Sequence, residues 1–77
     1  MLTIGEAIKK ARIDKGLSRS ELSFEARIPV QNIYQWETDR AYPSIINLIP
    51  IADVLNISLD ELVGRTVQNE QRETDRS

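Results

Sequence analysis

Two glutamine side chains, four residues apart, are the clearest candidates for chemistry in this chain. Gln31 and Gln35 belong to the segment VQNIYQWET (residues 30–38), and at helical spacing they lie one turn apart on the same face. An amide can pair bidentately with N6 and N7 of adenine, and each such pair contributes about 1–3 kcal/mol of base discrimination. The spacing therefore predicts either a helix that reads base edges in a DNA major groove or an ordinary solvated polar face.

The other side chains of this segment divide between two faces of the same helix. The amides are flanked by Asn32, Tyr34 and Thr38, and the opposite face holds Ile33, Trp36 and Glu37. Trp36 beside Ile33 is explained by core packing alone. Val30, in the first turn, can touch a thymine methyl group.

Two charged residues lie where apolar side chains are expected. Arg12 is four residues after Ile8 on the apolar stripe of the first predicted helix, and Glu37 is four residues after Ile33. Their opposite signs predict one partly buried ion pair, the alternative being two independent solvated charges. Such a pair fixes orientation more than it adds stability, because desolvation offsets much of the Coulomb attraction.

Capping residues predict where the helices that hold these side chains begin. Thr3-x-x-Glu6, Ser18-x-x-Glu21 and Ser58-x-x-Glu61 all fit the capping box, and Ser44 is a fourth candidate cap. With apolar periodicity they predict five helices, over about 4–15, 19–26, 29–38, 45–55 and 59–63. Gly16 and Gly64 are expected to end the first and last of them. No β-hairpin pattern competes, so the fold class is all-α.

Length and composition exclude several classes of function. The chain has 77 residues, enough for one domain, and contains neither His nor Cys. Structural zinc and thiolate or imidazole catalysis are therefore excluded, and no Gly-rich phosphate loop or paired carboxylates suggest another enzyme. We expect no cofactor, metal or small-molecule ligand. Without a signal peptide or an apolar run of about 20 residues, the expected location is cytoplasmic, away from membranes.

Charge is distributed unevenly along the chain. The formal net charge is −2, but residues 1–44 hold seven Lys or Arg against six Asp or Glu, whereas residues 45–77 hold three against six. The acidity thus lies away from the amide-bearing helix, which weakens a DNA-binding hypothesis without removing it. Residues 65–77 are almost devoid of apolar side chains, so we expect a domain over 1–64 followed by a disordered polar tail.

Several motifs in combination resemble the lambda-repressor/Cro-like helix-turn-helix family, also called the xenobiotic-response-element family. They are IxxAR with KGLSRSEL, then IPVQNIYQWE, then TDRAYPS, and finally LxxIADVLNISLDELVG. The resemblance covers residues 4–64, about four-fifths of the chain. It implies a compact five-helix domain, with the helix-turn-helix at helices two and three, that binds double-stranded operator DNA, usually as a homodimer.

The resemblance also implies roles for individual residues. Helix three is the recognition helix, and the base-reading positions carry Val30, Gln31, Asn32 and Gln35. Two arginines fall at phosphate-contact positions: Arg19, where the family often has Gln, and Arg40. Arg12 and Glu37 match an internal salt bridge of the family.

Four positions depart from the family pattern or leave alternatives open. Arg27 occupies the turn where Gly is usual, so either the turn is rearranged or Arg27 accepts a left-handed conformation and gains a phosphate contact, which we prefer. Asp39 also replaces a frequent Gly. Pro50 falls inside helix four and predicts a kink near Ile46. Tyr42 is expected to pack on the domain rather than against sugar-phosphate.

Together these features predict a sequence-specific DNA-binding transcriptional regulator, with a repressor preferred over an activator. A single small domain offers little interface, so a dimer on an inverted repeat is expected. The alternative is a protein-interaction module, or an antitoxin-like protein that binds a partner, which retains the helix-turn-helix fold.

Overall fold

Five helical segments joined by short turns make up the part of the chain that the structure describes. This computed structural model describes residues 2–63; Met1 and residues 64–77 lie outside it. The helices are α1 (Ile4–Lys15), α2 (Arg19–Ala26), α3 (Val30–Glu37), α4 (Ile45–Leu55) and α5 (residues 59–63), and residues 2–63 contain no strand. The all-α, five-helix fold is confirmed. The predicted end at Gly64 and the predicted tail at 65–77 fall outside the described residues.

Side-chain caps fix the starts of α1 and α2 where the sequence predicted them. Thr3 Oγ1 accepts from the Glu6 N–H at 3.0 Å, and Glu6 Oε1 accepts in return from the Thr3 N–H at 2.9 Å. Ser18 and Glu21 make the same reciprocal pair. These bonds satisfy N–H groups that have no acceptor within the helix. Ser44 occupies the N-cap position of α4, but its side chain makes no cap hydrogen bond.

The core forms where the inward faces of the helices meet. Its fully buried large side chains come from all of them: Ile8, Leu22, Ile33, Ile51 and Leu62. Trp36 is 5% exposed, which confirms its predicted core position. Ile28, in the turn between α2 and α3, is also buried and anchors that turn to the same core. Burial of aliphatic side chains of this size stabilises the fold by about 1.5–3 kcal/mol each.

Three non-glycine residues adopt the left-handed conformation at turns. Arg27 has φ 59°, Asp39 has φ 61° and Asn56 has φ 58°. Arg27 therefore takes the conformation of the usual Gly rather than rearranging the turn, at a cost of about 1 kcal/mol. Ser23 Oγ donates to the Ile28 carbonyl at 2.6 Å across the same turn, which offsets part of that cost.

Two predictions concern α4 and the residues just before it. The helix is continuous over Ile45–Leu55 although Pro50 lies in its interior and cannot donate to the Ile46 carbonyl. The kink proposed near Ile46 stays a prediction. Tyr42, just before α4, is 77% exposed and so lies outside the core; its packing on the surface of the domain stays a prediction.

Candidate nucleic-acid interface

The outward face of α3 carries a strip of exposed and half-buried side chains opposite its buried face. Gln31 is exposed, and Val30 and Tyr34 are 43% and 42% exposed. Asn32 and Gln35 are half-buried. The opposite face is anchored in the core by Ile33, Trp36 and Glu37. The helix is therefore held rigidly from behind while the residues named as base-reading candidates lie at or near its surface.

The turn into α3 sets the direction of this helix. Pro29 is the N-cap residue, with φ −56° and ψ 135°, so α3 begins at Val30. The Arg27 and Ile28 N–H groups both donate to the Ser23 carbonyl, which closes α2 and reverses the chain within three residues. A short turn of fixed geometry between two helices is the arrangement that presents a second helix to the major groove.

Behind α3, Glu37 accepts hydrogen bonds from two arginines. Arg12 Nε lies 2.8 Å from Glu37 Oε2 and Arg12 Nη2 lies 3.0 Å from Oε1, so the structure brings these two residues together in a bidentate pair. Arg19 Nε also donates to Oε1, at 2.9 Å. The Glu37 side chain has no exposed surface. Two cations therefore share one buried carboxylate, and the group as a whole keeps a positive charge.

Arg12 is further fixed by the backbone. Its Nη1 donates to the Leu17 carbonyl at 2.8 Å, in the turn between α1 and α2. One guanidinium thus joins α1, the following turn and α3. Because a buried guanidinium must have its donors satisfied, these contacts make its position specific.

The three arginines proposed to contact phosphates differ in their surroundings. Arg27 is exposed at the turn before α3. Arg40 is exposed after α3, and its backbone N–H donates to the Gln35 carbonyl at 2.8 Å. Arg19 is held by Glu37 and has a side chain 35% exposed. The structure therefore arranges them around α3 from three different elements, with Arg19 the most constrained.

Tyr34, which the sequence did not single out as a site residue, lies beside two of these arginines. The Cζ atom of Arg19 lies 5.3 Å from the centre of the Tyr34 ring, and that of Arg40 lies 6.0 Å from it. Both distances are within the range of cation–π attraction. An aromatic residue on the polar face of a short helix was the available indication, but only the tertiary structure brings both arginines to it.

No helix among residues 2–63 is long and apolar enough to cross a membrane. The same residues contain no cluster of carboxylates that could hold a metal ion.

Comparison with known proteins gives matches over most of the chain. The family model described as Helix-turn-helix matches residues 8–62. The chain is 31% identical over 72 residues to the cryptic phage CTXphi transcriptional repressor RstR of Vibrio cholerae serotype O1, covering 94% of this chain and 64% of RstR. It is 27% identical over 74 residues to the HTH-type transcriptional regulator ImmR of Bacillus subtilis, covering 96% of this chain and 58% of ImmR. The chain thus spans less than two thirds of the length of either relative.

A solved structure shares the arrangement of the helices. The crystal structure of SinR, the master regulator for biofilm formation, in complex with DNA matches with a TM-score of 0.77 and 34% identity, covering 79% of this chain and 98% of that chain. The α2–turn–α3 unit described above lies within the residues that the family model matches. The chain therefore belongs to the lambda-repressor/Cro-like family of helix-turn-helix DNA-binding domains.

Proposed function

We propose that this protein is a sequence-specific DNA-binding transcriptional regulator that acts as a repressor. The observation that carries the proposal is α3: its inner face is fixed in the core, and its outer face offers Gln31 and Gln35. Exposed or half-buried arginines come from α2, from the turn before α3 and from the segment after it. The similarity to the repressor RstR and to DNA-bound SinR supports the same conclusion. The proposed role is DNA binding rather than catalysis, and the proposed location is the cytoplasm.

Base reading is assigned to the side chains along the outer strip of α3. Gln31 and Gln35 suit adenine, Val30 suits a thymine methyl group, and Asn32 serves either a base edge or a neighbouring phosphate. Arg19, Arg27 and Arg40 contact phosphates and so set the register of α3 in the groove. Because the net charge is −2, non-specific binding is modest and strongly weakened by salt.

The protein binds its operator as a homodimer on an inverted repeat, and α4 supplies the dimer surface. Ile45, Ile46 and Ile49 lie on one stripe of α4 and are 55%, 74% and 49% exposed, with the exposed Tyr42 ring just before them. The first charged residue on this stripe is Asp53, one turn beyond Ile49. An uncharged apolar stripe can pair with its own copy about a two-fold axis without like-charge repulsion.

Selection from random duplex DNA with the purified protein, at low and at physiological salt, tests the proposal. The expected result is an enriched inverted repeat that survives physiological salt. Gln31→Ala and Gln35→Ala should each weaken binding to that site by about 1–3 kcal/mol and relax the preference at one base pair. Asn47→Ala, which removes an amide from α4, is the matched control and should change neither.

A protein-interaction module or antitoxin-like protein is the second candidate, favoured by the exposed isoleucines of α4 and by Phe24, which is 82% exposed on α2. In that case binding to DNA would appear only at low salt, with no enriched motif. The glutamine variants would then bind duplex DNA as the wild type does.

A further inference from the structure

Arg19, Tyr34 and Arg40 form a cluster on the surface of α3. Arg19 is the first residue of α2, Tyr34 is in the middle of α3, and Arg40 follows α3 by three residues. The two guanidiniums come from different elements, yet both lie within 6.0 Å of the centre of one tyrosine ring. Tyr34 is 42% exposed, so the cluster opens to solvent.

Each arginine is held by one hydrogen bond and has guanidinium donors left to bind a ligand. The Arg19 side chain is held by Nε on Glu37 Oε1, and among residues 2–63 no protein acceptor contacts its Nη1 or Nη2. Arg40 is fixed through its backbone N–H on the Gln35 carbonyl, which leaves its exposed side chain to be directed by Tyr34. The Tyr34 carbonyl in turn accepts from Thr38 Oγ1 at 2.8 Å, which ties the end of α3 to the same residue.

Charge explains what such a cluster binds. The Glu37 carboxylate is already paired with Arg12, so Arg19 and Arg40 together present an excess of positive charge beside the ring. The two guanidiniums repel one another, and the negative face of the tyrosine ring offsets part of that repulsion. An anion bound between the two guanidiniums would offset the remaining repulsion. The planar guanidinium donors match the oxygens of a phosphate group.

We propose that Tyr34 is a positioning residue that gathers Arg19 and Arg40 into a single phosphate-binding cluster for the DNA backbone. This inference deepens the proposed DNA-binding function and rests on it. In the proposed function the two arginines contact phosphates independently, whereas here Tyr34 couples them. Tyr34 is adjacent to Gln35, so a phosphate held at the cluster fixes the depth and register at which the glutamines meet the bases.

Titrations of the full chain with its selected duplex, over a series of salt concentrations, test this coupling. Tyr34→Leu removes the ring, and we expect an affinity loss of about five- to thirtyfold, the effect of two exposed cation–π contacts. The slope of log K against log salt should become shallower by about 0.9 per half-site, because one phosphate contact is lost. Tyr34→Phe keeps the ring and should bind within about twofold of the wild type.

A double-mutant cycle separates positioning from direct contact. Arg40→Ala should weaken DNA binding several-fold more in the wild type than in the Tyr34→Leu background. In that background Arg40 has already lost its contact with the Tyr34 ring. Phe24→Leu, which removes another exposed aromatic ring, is the matched control and should leave both affinity and salt slope unchanged. If Tyr34→Leu does not fold, the same cycle is made with Tyr34→Met.

The outcomes distinguish this inference from the function on which it rests. A wild-type protein that selects no duplex overturns both. A wild type that binds its selected site, with Tyr34→Leu or Tyr34→Met equal to it in affinity and salt slope, overturns only the cluster. Equal losses for Tyr34→Phe and Tyr34→Leu would also overturn it, because they would show that the hydroxyl group contacts DNA directly. Additive losses of binding free energy for Tyr34→Leu and Arg40→Ala would likewise overturn the cluster, because they would show that the two residues act independently.

Discussion

At the scale of single residues, Glu37 has the largest influence on the candidate interface. Its carboxylate is buried, holds Arg12 in the interior and reaches Arg19 at the surface of α2. The same side chain therefore joins the stability of the domain to the position of a phosphate-binding candidate. An isolated buried charge is far more costly than a paired one, so the network depends on its central acceptor.

Glu37→Gln should lower the free energy of unfolding by about 3 kcal/mol, because Arg12 then stays buried without a compensating charge. Urea denaturation followed by circular dichroism measures the change. Glu25→Gln, an exposed position on α2, is the control and should change stability by less than about 0.5 kcal/mol. Equal midpoints for the two variants would mean that Arg12 reaches solvent when its partner is neutralised.

At the scale of the helices, α1 and α3 approach so closely that only glycine fits at one point. A Cβ atom on Gly5 would lie 1.9 Å from the Trp36 carbonyl oxygen and 2.9 Å from the Asp39 side chain. Because the obstructing atom is backbone at the end of α3, it cannot move without shifting the recognition helix. Gly5 thus determines how far the last turn of α3 stands from α1.

Gly5→Ala should therefore destabilise the domain by about 3 kcal/mol, the upper part of the usual cost of overpacking, because the obstructing atom belongs to the backbone. Gly16→Ala is a matched comparison, since Gly16 has φ 80° and open space around its Cα. Its cost is backbone strain alone, about 1 kcal/mol. Thermal unfolding of both variants measures the difference, and a Gly5→Ala variant no less stable than Gly16→Ala would contradict the close approach.

At the scale of the whole molecule, the domain presents two surfaces of different chemistry. The α3 face is polar and basic, whereas the stripe at Ile45, Ile46 and Ile49 is apolar and uncharged. A dimer made through the second surface would carry two copies of the first, one for each half of the proposed inverted repeat. Two modest interfaces then act together, which raises the affinity beyond that of either one.

Ile46→Lys should break this dimer, because it places like charges across the two-fold axis. Sedimentation equilibrium should show a monomer, and affinity for the full inverted repeat should fall by at least about tenfold while half-site binding is unchanged. Ile13→Lys alters another exposed isoleucine, on α1, and should remain dimeric. A dimeric Ile46→Lys protein would assign the contact to another surface.

Local interactions allowed the sequence by itself to determine the helices and their faces. Caps at Thr3 and Ser18 act within four residues, and the period of apolar side chains assigns Ile33 and Trp36 to the inside of α3, so neither needs knowledge of the fold. The left-handed conformation of Arg27 was expected instead from the resemblance to the family, in which Gly is usual at this turn.

Contacts between residues distant in the chain were decided only by the tertiary structure. Arg19 and Arg40 meet at Tyr34 because α2 packs against α3, which carries the ring, and no spacing in the sequence encodes that approach. The close passage of Gly5 against Trp36 and the exposure of Tyr42 have the same origin. The packing of the helices against one another decides which polar residues contact the same side chain. It also decides which aromatic residue is exposed to solvent.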